Sequence, residues 1–122
     1  MAKVFLDTNY FIDFAERRKD SNLTQLEDHP LFISPLSIHV LAYIYKYKLP
    51  NKKLEGFIAH FTQIPLDRNI VDKAVSGPTI DFEDNVQLHS ATEGECDFFL
   101  TQDQDLLKLR YFGKTEIVAR LK

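Results

Sequence analysis

Val4-Phe5-Leu6-Asp7-Thr8-Asn9 decides the reading of this chain. Three apolar residues run without a break and stop at a carboxylate. A run with no polar face to offer solvent reads as a strand buried on both sides, as the central strands of parallel sheets are. Open α/β sheets bind ligands in the crevice beyond the carboxyl ends of their strands, and Asp7 stands at such an end. The pattern returns late in the chain, where Phe98-Phe99-Leu100-Thr101 leads to Asp103. Between the two, Asp81 and Asp84 open a helical stretch. Leu88 and Ala91 follow Asp84 by four and seven residues, on its own face. That face packs on the sheet, so Asp84 points inward. The chain reads as a scaffold that gathers Asp7, Asp84 and Asp103 from distant positions.

Working outward, Thr8 to about Arg18 is expected to be helical, with Phe11, Phe14 and Ala15 on one face. A short helix is expected over 21–27, and Leu31-Phe32-Ile33 reads as the second strand. Leu36 to Lys48 reads as a helix with the stripe Leu36, Val40, Ile44 and Tyr47, widened by Leu41. Asn51 caps a helix running to about Phe61. Gln63-Ile64-Pro65-Leu66 is a weak third strand, put at a sheet edge by its proline. Asp67 caps a helix that ends at Gly77-Pro78, and the helix begun by Asp81 stops at Gly94. A short helix follows Asp103, and Glu116-Ile117-Val118 reads as a fifth strand. Strands alternating with helices predict a parallel α/β sheet.

The 122 residues make one domain, 1–122, with enough chain for a hydrophobic core. No apolar run approaches the ~20 residues of a membrane helix, and the N-terminus reads without a leader peptide. One cysteine, Cys96, forms no internal disulfide and fits a reducing cytoplasm. A net charge of −3 does not advertise a polyanion partner. A metal-dependent nuclease, however, carries acids for its metals. The basic groups Arg17-Arg18-Lys19, Lys46/Lys48/Lys52/Lys53 and Lys108/Arg110 read mainly as solvated faces.

Anions held together in a partly dry crevice repel one another and desolvate badly. Hard divalent cations relieve that, and oxygen ligands without histidine suit Mg²⁺ or Mn²⁺. The competing reading is structural. Asp7, Asp81 and Asp103 each stand where a helix cap is wanted, and Asp81-Phe82-Glu83-Asp84 has the form of a capping box.

Val4-Phe5-Leu6-Asp7-Thr8-Asn9-Tyr10-Phe11-Ile12 resembles the opening of PIN domains, the metal-dependent nuclease family that includes VapC-type toxins. The stretch from Asp81 through Ala91 to Asp103 resembles their C-terminal half. The resemblance implies a three-layer α/β/α fold with a parallel sheet of four to five strands in the order 3-2-1-4-5. It implies a Mg²⁺ or Mn²⁺ site and hydrolysis of RNA phosphodiester bonds, with an antitoxin protein and a second copy of the chain as partners. Asp7, Asp84 and Asp103 match the catalytic, metal-binding acids. Asp81 would be an auxiliary metal-binding acid, and Asn9 and Thr101 match polar residues that support the site.

One departure stands out. The glutamate usual on the helix after the second strand is replaced by Val40. His39 is adjacent, but one residue along a helix turns the side chain by about 100°, so it reads as a partly exposed helix residue. His29, His60 and His89 have no ligand spacing. Two further readings compete with a nuclease. One is a PIN fold that has lost catalysis and binds RNA or protein. The other is a phosphatase or phosphoryl acceptor, for which Asp7-Thr8-Asn9 lacks the second acid. The tyrosine-rich segment around Tyr43 and Tyr47 is the candidate dimer surface.

Overall fold

β1 (Val4–Leu6) is fully buried along its whole length, as its unbroken apolar run requires. The computed structural model describes residues 2–17, 26 and 28–121. After β1 come α1 (Thr8–Ile12), a π-helical turn (Asp13–Arg17), β2 (Leu31–Ile33), α2 (Pro35–Tyr45), α3 (Lys52–Ile58) and β3 (Thr62–Gln63). The second half holds α4 (Arg68–Ser76), α5 (Phe82–Glu93), β4 (Phe98–Leu100), α6 (Gln104–Leu107), β5 (Tyr111–Phe112) and β6 (Thr115–Val118). The helix expected over 21–27 lies outside the described residues, apart from the buried Leu26.

The sheet order is β3-β2-β1-β4-β6-β5, parallel except for the β5–β6 pair. β1 lies between β2 and β4, with Val4 opposite both Leu31 and Phe98. Pleating sends alternate side chains to opposite faces. Val4 and Leu6 join Leu31, Ile33 and Leu100 beneath Phe11 of α1, Leu41 of α2 and Phe57 of α3. Phe5 joins Phe32, Phe99 and Ile117 beneath Ile70 of α4, Leu88 of α5 and Leu106 of α6. On that side the rings of Phe5 and Phe99 stack at 5.4 Å. Cys96 sits in the second cluster, where burial pushes its thiol up to about 12.

Three expectations change. The fifth strand expected at 116–118 is β6, and it is the second arm of a hairpin. Gly113, at φ +60°, makes the two-residue turn with Lys114 that adds β5 as an antiparallel edge. The helix expected over 8–18 is α-helical only to Ile12 and then takes a π turn. On α2 the buried line runs through Ser37 and Leu41, while Ile44 of the expected stripe is half exposed. The rotation follows from Ser37, whose hydroxyl has a buried partner on α1. Gly94 ends α5 where a Cβ would overlap Ile64.

Candidate functional site

Asp7 follows β1 directly and is 5% exposed. Its amide donates to Leu100 O at 3.0 Å, so it prolongs the β1–β4 ladder, and its carbonyl accepts Phe11 N at 2.9 Å to start α1. It occupies the N-cap position of α1, yet its side chain makes no capping bond. The carboxylate is held elsewhere. Thr101 Oγ1 donates to Asp7 Oδ2 at 2.6 Å. The same hydroxyl accepts Asp103 N at 3.0 Å, so Thr101 joins the ends of β1 and β4. Burial pushes the Asp7 carboxyl up, against hydrogen bonds from Thr101, Thr8 and Gln87 that pull it down, and the Asp103 charge adds to the rise.

The first turn of α5 supplies the other acids. Asp81 Oδ1 accepts Asp84 N at 2.9 Å, which is one half of a capping box. The other half is made by Thr79, whose Oγ1 accepts Asp81 N at 3.1 Å. The Asp84 carboxyl is therefore released from capping. Asn85, 3% exposed, bonds Thr79 and Ala74 O and fixes the loop that leads into this turn. Asp84 is half-buried, and every influence on its carboxyl raises it: burial first, then Asp81, Asp7, Asp103 and Glu83. It stands at about 7. Burial also raises Glu83, opposed by its hydrogen bond with Thr8 and reinforced by Asp81 and Asp7.

Asp7, Asp81 and Asp103 thus all lie within electrostatic reach of Asp84, and Asp7 within that of Asp103, at the carboxyl end of the sheet. They differ in what holds them. Asp81 and Asp103 are caps, with Asp103 Oδ1 accepting Asp105 N at 2.8 Å and Leu106 N at 3.2 Å. Asn9 is exposed on the first turn of α1, and the contacts that fix Asp7 come from Thr101 and Gln87 instead. His39 is exposed and stacks on Tyr43. Val40 is half-buried and packs against the first core cluster.

Four residues escaped sequence reasoning. Gln87 is fully buried, and its Oε1 accepts Thr8 N at 2.6 Å. Thr8 Oγ1 and Ser37 Oγ share a hydrogen bond at 2.8 Å. Glu83 adds a fifth carboxyl. The available signal was a glutamine three residues beyond Asp84, between the apolar Val86 and Leu88, with no solvent to face.

The donor set is oxygen only and mutually repulsive, and nothing lowers Asp84. These properties fit a hard divalent cation. As they are placed, no three His, Cys, Asp or Glu side chains among the described residues stand close enough to hold one.

A family model described as PIN domain matches residues 3–105. The chain belongs to the PIN-domain family. This PIN domain is similar in fold to a chain of the VapBC2 complex from Rickettsia felis bound to a DNA fragment from their promoter. That pair is 16% identical with a TM-score of 0.67, covering 95% of this chain and 97% of the other. A toxin–antitoxin complex from Klebsiella pneumoniae gives 19%, 0.67, 92% and 94% for the same measures. DNA-bound VapBC from Salmonella typhimurium gives 19%, 0.65, 97% and 98%. No curated protein matches the chain in sequence. Among the described residues, no helix of this PIN domain is long and apolar enough to cross a membrane.

Proposed function

We propose that this PIN domain is a Mg²⁺- or Mn²⁺-dependent endoribonuclease and the toxin of a toxin–antitoxin pair. The observation that carries the reading is the gathering of Asp7, Asp81, Glu83 and Asp103 around the half-buried Asp84 at the carboxyl end of the sheet, which pushes that carboxyl up. Asp7, Asp84 and Asp103, with Asp81 as auxiliary, would hold the metal. A bound divalent ion activates water and neutralises charge developing on a phosphodiester. The chain's own contribution is orientation and proton handling. Thr101 fixes Oδ2 of Asp7, the loop tied by Asn85 sets the first turn of α5, and the raised Asp84 carboxyl would hold or give up a proton. The antitoxin partner is supported by the fold likeness to toxin–antitoxin complexes. The RNA substrate is supported by the motif resemblance. A cytoplasmic location is supported by the single reduced cysteine.

A homodimer is supported by exposed Tyr43 and Ile44 on α2, at 77% and 50%. Tyr47, part-buried, donates its hydroxyl to Glu16.

The test is cleavage of single-stranded RNA with Mn²⁺, beside Mn²⁺ calorimetry, on wild type and Asp7→Asn. Cleavage lost in Asp7→Asn supports the reading. Absent cleavage and absent Mn²⁺ uptake in wild type overturn it. A second reading, a weakened PIN fold that binds RNA or protein, is favoured by the apolar packing of Val40. Mn²⁺ uptake and RNA retention without cleavage would select it.

A further inference from the structure

Gln87 occupies a position where an apolar residue would ordinarily serve. It lies in the middle of α5, fully buried, between Val86 and Leu88, which are themselves fully buried. A buried amide is tolerated only when its donors and acceptor are used. Both ends of this one are. Oε1 takes the Thr8 amide at 2.6 Å, and the amide nitrogen faces the Asp7 carboxyl and, at a longer 3.5 Å, Glu83 O. Thr8 N–H is the first amide of α1, one of those that a helix leaves without an internal partner. In the five other described helices the side chain of the N-cap residue accepts from the second or third helical amide: Ser34, Asn51, Asp67, Asp81 and Asp103. In α1 the N-cap residue is Asp7, and it supplies none.

We propose that Gln87 is a positioning residue: its side-chain amide bridges the first amide of α1 and the Asp7 carboxyl, and so holds that carboxylate in place for the acid cluster. The proposal rests on the reading of Asp7 as a metal-holding acid. Gln87 and Thr101 then act as two arms on one carboxylate. Thr101 fixes Oδ2 from the β4 side, and Gln87 approaches from α5. Without Gln87 the Thr8 amide keeps only the Asp7 carboxyl as a partner, and that carboxyl loses its contact from α5.

The test uses the full chain in four forms: wild type, Gln87→Met, Asp7→Asn and the double variant, with Gln87→Glu as a fifth. Methionine is close in volume and lacks both hydrogen-bonding ends, whereas glutamate keeps the acceptor for Thr8. In the metal-free protein, hydrogen exchange at the Thr8 amide should speed up in Gln87→Met and stay protected in Gln87→Glu. Mn²⁺ affinity by calorimetry should fall about 10–100-fold in Gln87→Met, the range for a residue that orients a metal ligand. In the Asp7→Asn background the same change should have little further effect. Equal weakening in both backgrounds overturns the proposal, because it would show a general structural loss. So does an unchanged Thr8 exchange rate in Gln87→Met. If wild type takes up no Mn²⁺, the nuclease reading fails by itself. The urea unfolding of the same four metal-free proteins then decides on Gln87. Unfolding constants that depart from additivity by more than about twofold sustain its link to Asp7, and additive ones overturn it.

Discussion

Asp84 keeps its proton up to about pH 7 because it is half-buried among acids, against 3.8 for a free side chain. Between those two values the folded protein binds a proton that the unfolded chain has already lost. Ionising Asp84 in that window therefore works against folding. Its contribution to stability is fully present below the unfolded value and is lost as pH rises through the folded one. Metal-free wild type should lose stability relative to Asp84→Asn between about pH 4 and 7, as judged by urea unfolding at several pH values. Parallel pH curves for the two proteins would refute this. Above that window Asp84→Asn should be the more stable of the pair. Metal uptake near neutrality should also release a proton, so apparent Mn²⁺ affinity should rise with pH across the same range. Calorimetry in buffers of different ionisation enthalpy measures the release. A carboxyl in this state was half legible in the sequence. Its inward face followed from Leu88 and Ala91, but the freedom of its oxygens depends on Thr79, which takes the amide the capping box would have reserved for it.

Caps and proposed ligands coincide at α5 and α6, and single substitutions can separate the two roles. Asparagine caps a helix about as well as aspartate, whereas alanine forfeits roughly 0.5–2 kcal/mol. Asp103→Asn should keep the stability of wild type and lose Mn²⁺ affinity. Asp103→Ala should lose both. Asp67→Ala, at a cap outside the acid cluster, should lose stability alone. Thermal melts with and without Mn²⁺ distinguish the three, and Mn²⁺ affinity intact in Asp103→Asn would remove Asp103 from the site. The α2 helix invites the opposite experiment. Val40 packs half-buried against the first core cluster, three residues after the Ser37 that meets Thr8. Val40→Glu should weaken stability by about 1–3 kcal/mol by placing a carboxyl in part against apolar surface. It should also tighten Mn²⁺ binding. A folded Val40→Glu protein with unchanged affinity would show that this position does not face the acids. The rotation of α2 away from its expected stripe has a simple origin. Leu36, Ile38, Val40, Leu41 and Ile44 surround much of the helix, so apolar spacing does not select a face. The residue that does is a serine.

β2, β4 and β6 were legible because each carries a short apolar run bounded by polar or turn residues, whereas β3, the exposed Thr62–Gln63, carries none and lies ahead of the strand expected at 63–66. The strand order came with the family resemblance. The hairpin was not, since Tyr111-Phe112 is two residues long and its pairing depends on a turn at Gly113. The acids stood out because they end strands. Gln87 did not, because its meaning comes from a bond to Thr8, 79 residues away in the chain. Cys96 has a consequence of another kind. It is the chain's one thiol, sealed in the second core cluster and pushed up to about 12 by burial. Thiolate is the species that alkylating reagents attack, so this sulfur is inert while the domain is closed. Labelling by a maleimide in native buffer should therefore run at the pace of the molecule's own opening, orders of magnitude slower than in urea. It should slow further with Mn²⁺ if the ion binds only the folded form. Labelling as fast in native buffer as in urea would contradict the buried placement. Otherwise the cysteine is a built-in clock: with no probe attached beforehand, it times how often the whole domain breathes open.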